Sequence, residues 1–171
     1  MIKKQKIGTV YKGKQEDKEI LFSRVWAMPN HETFKIGPIQ KLLRRYVGNG
    51  YNWIDPFAGA NSPAKLTNDH NPIMPTNYHM EASEFAKEIK HDWGFAGVIF
   101  DPPYSFRQIS EHYKVIGKKA TRQDTSMSFY EKVKSAVCDK IKQGGYAISF
   151  GWNSNGFGKA RGFKIIEIML V

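Results

Sequence analysis

Apolar positions recur along this chain in two spacings, and the way the two alternate is its first structural signal. Behind Pro38, residues Ile39, Leu42, Leu43 and Tyr46 fall at i, i+3, i+4 and i+7. That is the stripe of a helix with one buried face, begun by a proline that lacks the N–H a first turn leaves unused and ended by Gly48 and Gly50. Residues 51–54 read as a short strand, 65–68 as a weaker one ending at Asp69, and 78–80 as a third. A helix follows with Ala82, Phe85, Ala86 and Ile89 on one side, and then Gly97, Val98, Ile99 and Phe100 form a wholly apolar strand. The next helix begins near Ser128, its stripe running through Val133, Ala136, Val137 and Ile141 with Cys138 among them. A fifth strand leads to Gly151, and 163–171 reads as a sixth. Strands alternating with helices predict an α/β domain whose sheet is mostly parallel and carries helices on both faces.

Upstream of the first helix, Ile20, Leu21, Phe22, Val25 and Trp26 make 19–28 an extended segment closed by Pro29 and Asn30. Residues 1–18 are polar and carry Lys3, Lys4, Lys6, Lys12 and Lys14, which predicts a basic flexible arm ahead of a single domain at 19–171. With 171 residues and 41% hydrophobic content, that domain is long enough to bury a core.

Charge narrows the partner. Lys and Arg number 26 against 16 Asp and Glu, a formal +10, which suits a polyanion such as nucleic acid better than an acidic protein. The one cysteine cannot close an internal disulfide, no Cys/His cluster suggests a metal, and the five histidines are scattered. No apolar run approaches the ~20 residues of a membrane helix, so the expected setting is cytoplasmic, with no membrane contact.

Chemistry concentrates where the predicted strands end. In an open α/β sheet the ligand lies in the crevice outside the carboxyl ends of the strands, which brings Asp55, Asp69, Glu81 and Asp101 towards one place. Two of these acids sit in denser motifs, Asp55-Pro56-Phe57-Ala58-Gly59 and Asp101-Pro102-Pro103-Tyr104, each behind an apolar strand. Alone, either reads equally well as a rigid turn. Together and in this order they resemble the S-adenosylmethionine-dependent DNA amino-methyltransferases, in particular the adenine-N6 enzymes of bacteria and phages. The resemblance spans about residues 26–152, and Thr33-Phe34-Lys35-Ile36-Gly37-Pro38-Ile39 is similar to the family's motif X, placed before motif I.

The resemblance implies a Rossmann-like methyltransferase core at 51–171, S-adenosyl-L-methionine as cofactor, double-stranded DNA as partner and adenine N6 as acceptor. Methylating an exocyclic amine requires its lone pair to be freed from the ring and aligned with the sulfonium methyl. Asp101 and the Pro102 carbonyl are the expected acceptors of the amine hydrogens, and Pro102 and Pro103 hold the residues before them extended. Tyr104 offers a face on which a flipped base stacks, with Phe106 or Tyr113 opposite. On the cofactor side, Phe57, Ala58 and Gly59 shape the motif I loop, Asp55 attracts the ammonium directly or through water, and Asp69 accepts from the ribose hydroxyls. Glu81 is placed to meet the adenine and Phe34 to cover the methionine end.

Basic residues after the second motif, Lys114, Lys118, Lys119 and Arg122, read either as a solvated surface or as phosphate contacts that position a duplex without reading it. Trp152 and Asn153 leave the fifth strand as candidate base or cofactor contacts. The sequence departs from the family in three places. Asn61 stands where a second glycine is usual, a position where asparagine tolerates left-handed angles. Only 105–127 separate Tyr104 from the next helix, too little for a target recognition domain, so specificity is expected to be low or to come from a homodimer or an accessory subunit. With 163–171 taken as the sixth strand, no residues remain for the family's seventh, antiparallel one, which predicts truncation or impaired activity. An RNA amino-methyltransferase and a catalytically inactive DNA-binding member of the fold are the competing readings, and the biological setting, restriction-modification or phage DNA protection included, is open.

Overall fold

In a computed structural model that describes residues 7–13, 19–28, 32–103, 127–151, 153–154 and 156–171, the chain is built on a single seven-stranded sheet. Its strands are β1 (Ile7–Gly13), β2 (Leu21–Arg24), β3 (Trp53–Asp55), β4 (Leu66–Thr67), β5 (Phe95–Phe100), β6 (Ile141–Gly151) and β7 (Phe163–Leu170). Three helices are present among the described residues, α1 (Gly37–Tyr46), α2 (Ala82–Glu88) and α3 (Met127–Cys138). The spatial order is β2-β7-β1-β6-β5-β3-β4. Adjacent pairs β3/β4, β3/β5, β5/β6 and β2/β7 are parallel, whereas β1 runs antiparallel to both β6 and β7. The sheet is therefore mixed, and β1 is the strand whose direction opposes the rest.

That strand corrects the expectation of a flexible arm for residues 7–13; residues 1–6 and 14–18 lie outside the described residues. Residues 7–13 lie inside the sheet, with Thr9 opposite Ser149 on one side and Ile168 on the other. Val10 is fully buried, and Gly8 is buried because α1 comes close: a Cβ there would sit 3.3 Å from Leu42 Cδ2 and 3.4 Å from the Phe150 ring. The strand escaped the sequence pattern because its buried central residues include a glycine and a threonine, flanked by lysines. It also gives the sheet its antiparallel strand, which the sequence pattern did not show.

Two smaller expectations are corrected as well. Ile141 belongs to β6 rather than to the helix before it, since α3 closes at Cys138 and the Lys140 N–H turns back to the Val137 carbonyl at 3.0 Å. Of 78–80, only Tyr78 pairs, in an isolated parallel bridge to Asn68.

The sheet is covered on both faces, as the alternation along β5 requires. Val98 and Phe100 join Ile54, Ala147, Phe85 of α2 and Val133 and Val137 of α3 in one core. Ile99 turns the other way, into a second core with Trp53, Ile148, Phe150 and the α1 residues Ile39, Leu42 and Leu43. An ion pair ties α1 to β7: Arg45 Nη1 donates to both oxygens of buried Glu167 at 3.1 and 3.0 Å, and the Tyr46 hydroxyl donates to the same carboxylate at 2.6 Å. Burial and that carboxylate push the Tyr46 phenol up to about 12. Among the described residues no helix is long and apolar enough to cross a membrane.

Candidate functional site at the carboxyl edge of the sheet

Because β3, β4, β5 and β6 are parallel, their carboxyl ends share one edge. Register then places the acids. Asp55 closes β3 opposite Thr67, so Asp69 lies two residues beyond its level on one side. Ile54 pairs with Val98, so Asp101 lies two residues beyond Asp55's level on the other. Glu81 leads into α2 just past the Tyr78 bridge. The four strand-exit acids predicted from sequence do lie at one edge of the sheet.

Their environments differ sharply. Asp55 is completely buried; its Oδ1 accepts from the Phe57 N–H at 2.9 Å and its Oδ2 from the Ser62 hydroxyl at 2.6 Å. Burial pushes its carboxyl up to about 7, opposed by those two hydrogen bonds and reinforced by the neighbouring Asp101 and Asp69 charges. With both oxygens engaged and no exposed surface, Asp55 staples the loop that follows it instead of meeting a ligand's ammonium directly. Asp69 is also buried and serves the same loop, Oδ2 accepting from the Gly59 N–H at 3.0 Å and Oδ1 from the Asn71 N–H at 2.8 Å. The ribose contact expected of it competes with those two bonds. Glu81 is different: its side chain is 34% exposed, with Oε1 3.1 Å from His70 Nδ1, so it is the acid of the three around this loop with carboxylate surface open to solvent.

Gly59 stands where the loop needs it. Its φ is +54°, a left-handed angle that suits glycine, and among the described residues nothing comes within 4 Å of where a Cβ would stand. Ala58 is buried beneath, its N–H bonded to the Asn68 carbonyl at 2.9 Å. Phe57 packs its ring edge-on against Phe100 at 5.2 Å and Tyr130 at 6.1 Å, which joins the β3 loop to the end of β5 and to α3.

Asn61 departs from its expected part. It does not adopt the left-handed conformation; among the described non-glycine residues Asn52 does, with φ 60°. The Asn61 amide instead donates to Glu32 Oε1 at 2.7 Å, and Glu32 also pairs with Lys35 at 2.9 Å, tethering the motif I loop to the turn before α1. Phe34, expected over a cofactor, is 8% exposed and packs edge-on against Phe150 at 5.8 Å, so it supports the floor of this edge from within the core.

After β5 the chain enters Asp101, buried Pro102 and half-buried Pro103. Here α3 contributes a residue that the motif reading missed. The hydroxyl of buried Tyr130 donates to the Pro103 carbonyl. Two prolines lack N–H groups and bend the backbone predictably, and Tyr130 pins the carbonyl that follows them. Tyr130 precedes Val133 and Val137 by three and seven positions, so its place on the buried helix face was open to the same periodicity argument. Asn68 was also missed: fully buried, it donates to the Pro56 carbonyl at 3.1 Å and the Met80 carbonyl at 3.0 Å, and its Oδ1 accepts from the Met80 N–H at 3.1 Å. It latches the ends of β3 and β4 to the approach of α2, a role that no local sequence signal announces.

Tyr104, Phe106, Tyr113, Lys114, Lys118, Lys119 and Arg122 lie outside the described residues, as does Trp152, whereas Asn153 is described and exposed. Among the described residues no group of three or more His, Cys, Asp and Glu is arranged to hold a metal ion. The site that can be drawn from described residues is thus an acid-rimmed edge around the Gly59 loop with a rigid Asp-Pro-Pro exit beside it. Comparison with family models, with curated proteins and with solved structures finds no match to this chain.

Proposed function

We propose that this chain is a Rossmann-like methyltransferase that transfers a methyl group from S-adenosyl-L-methionine to the N6 amine of adenine in DNA. The observation that carries the reading is the neighbourhood of two loops. Asp101-Pro102-Pro103 leaves β5 beside the Gly59 loop that leaves the adjacent parallel strand β3, and the two are joined through Phe57, Phe100 and Tyr130. The fold supports it too, since the resemblance implies an antiparallel strand among parallel ones and β1 has that sense.

The residues fit the cofactor. Among the described residues nothing comes within 4 Å of where a Cβ of Gly59 would stand, which leaves the loop backbone approachable by a ligand, and Glu81 offers a carboxylate to hydroxyls or an amine there. Asp55 and Asp69 act behind the surface by holding the loop in shape. When bound, S-adenosylmethionine supplies an electrophilic methyl group.

The chain's own work is orientation. The Asp101 carboxylate and the Pro102 carbonyl accept the two amine hydrogens and so turn the nitrogen lone pair out of conjugation. Tyr130 keeps the carbonyl one residue further on from rotating, which stiffens the exit at which that geometry is set. Tyr104 supplies the stacking face for a base taken out of the duplex. The proton released after transfer leaves to water, so no covalent nucleophile is required. The net +10 favours phosphate contacts, with Lys114, Lys118, Lys119 and Arg122 as the candidates nearest the exit in sequence.

The test is methyl-labelled S-adenosylmethionine with unmethylated duplex DNA and an RNA control, alongside calorimetric titration of the cofactor. Label in N6-methyladenine that disappears in Asp101→Ala, with cofactor affinity retained, is the expected result. Label on RNA alone would replace DNA by RNA as substrate, and no cofactor binding by the wild-type chain would refute the reading.

A further inference from the structure

His70, one of five histidines scattered along the sequence, is fixed by the turn around it. It follows Asp69, whose Oδ1 accepts from the Asn71 N–H at 2.8 Å and whose Oδ2 accepts from the Gly59 N–H at 3.0 Å. One carboxylate thus bonds the backbone after His70 to the loop that leaves β3. The Asp69 N–H in turn donates to the Tyr78 carbonyl at 3.1 Å. Glu81 reaches the same place from the other side. Met80 before it exchanges hydrogen bonds with buried Asn68, and the Glu81 carbonyl accepts from the Glu84 and Phe85 N–H groups, each at 2.9 Å, as α2 begins.

These two fixed backbones bring the side chains together. His70 Nδ1 stands 3.1 Å from Glu81 Oε1, and that nitrogen is shielded from water although the His70 side chain is 25% exposed. Beside a carboxylate Nδ1 carries the proton, in the neutral ring as in the charged one, so His70 donates and Glu81 accepts. Asp69, the acid next to His70 in the chain, has both oxygens engaged with backbone N–H groups. An ion pair at a surface is ordinarily weak because two long side chains must be ordered to make it. Here the imidazole is short and both backbones are already held. The effect falls on Glu81: with Oε1 held, a flexible carboxylate is reduced to few rotamers, and Oε2 remains for a second donor.

We propose that His70 is a positioning residue for the cofactor, holding the Glu81 carboxylate so that Oε2 accepts from a hydroxyl or amine of S-adenosylmethionine bound against the Gly59 loop. The inference rests on the methyltransferase reading and goes beyond it in one respect: cofactor affinity is set by a residue that acts through another and not by touching the ligand. Ordering the carboxylate before the ligand arrives removes that cost from binding. Because the contact is the same before and during methyl transfer, its loss acts on binding and leaves the chemical step alone.

Calorimetric titration of the full chain with S-adenosylmethionine tests this, with methyl-transfer kinetics beside it and far-UV circular dichroism as the check on folding. His70→Ala is expected to raise the Kd and KM for cofactor roughly tenfold and to leave kcat within about twofold. His70→Asn, whose amide nitrogen stands at the same position along the side chain as Nδ1, is expected to restore most of the affinity. Glu81→Gln should weaken binding by a similar factor, and adding His70→Ala to it should cost little more, since His70 acts through that carboxylate. His79→Ala, at an exposed histidine 3.3 Å from Thr76 Oγ1, should change nothing. Wild-type affinity in folded His70→Ala or in Glu81→Gln overturns the inference alone, as does a fall in kcat without a change in KM, or losses that add fully in the double variant. A wild type that binds no cofactor refutes the methyltransferase reading and takes the inference with it. Affinities in the expected pattern without label on DNA would uphold the inference and overturn only the acceptor.

Discussion

Replacing Asp55 by asparagine removes a charge from the most buried point of the candidate site while keeping the side chain's shape. In the folded chain that carboxyl is pushed up to about 7 from an ordinary 3.8, so the folded state holds its proton over a window in which the unfolded chain has lost it. The sign follows from linkage: the contribution is fully present below pH ~3.8, falls by about 1.4 kcal/mol per pH unit as pH rises, and levels off above pH ~7 at a total cost near 4 kcal/mol. Asparagine titrates nowhere in this range. Its Oδ1 can accept from the Phe57 N–H as Asp55 does, and the Ser62 hydroxyl can turn to accept from its amide. Asp55→Asn is therefore expected to be the more stable protein at neutral pH, and its advantage over the wild type should grow by roughly 2–3 kcal/mol between about pH 5 and pH 8. Urea unfolding of both proteins at a series of pH values reads this directly. Parallel curves, with a difference that does not change with pH, would refute the reasoning and mean that Asp55 ionises as it does in water.

Tyr130→Phe removes the hydroxyl that pins the Pro103 carbonyl; methyl transfer should slow with cofactor affinity unchanged, at a stability cost of about 1 kcal/mol. Equal losses in cofactor affinity and rate would argue against a positioning role. Asn68→Ala cuts the three bonds that join the β3 and β4 exits to the α2 approach, and thermal unfolding should show a loss of roughly 2–4 kcal/mol, large for one polar residue. Val10→Asp buries a carboxylate at the centre of the sheet and is expected to cost several kcal/mol or prevent folding, whereas a flexible arm would accept it without change. The Cys138 thiol, partly buried and pushed up to about 12 by that burial, should alkylate far more slowly at pH ~8 than a free thiol, which a timed thiol assay measures.

Much of the site could be read from the sequence because its residues follow strands whose pattern is strong. Val98, Ile99 and Phe100 announce β5 and thereby place Asp101 at a strand exit. The same argument located Asp55, Asp69 and Glu81 at the shared edge, but it did not foresee what each carboxylate does there. Position along the chain says where an acid emerges. Whether its oxygens face a ligand or a loop N–H depends on which backbone donors the fold brings within 3 Å, and Gly59, Asn71, Phe57 and Ser62 meet these acids only through the turn geometry.

From the sequence by itself came the α/β alternation, the helix stripe of α1, the parallel run of strands ending in acids and the basic net charge. These are local properties: a periodicity of two or of 3.6 within a dozen residues, or a sum over the chain. Tertiary structure decided the rest. It put Gly8, Thr9 and Val10 inside the sheet and brought Tyr130 to the Pro103 carbonyl. Such outcomes rest on pairing between segments far apart in the chain, where burial comes from neighbours on both sides and not from the segment's own hydrophobicity, and no local pattern records who those neighbours are.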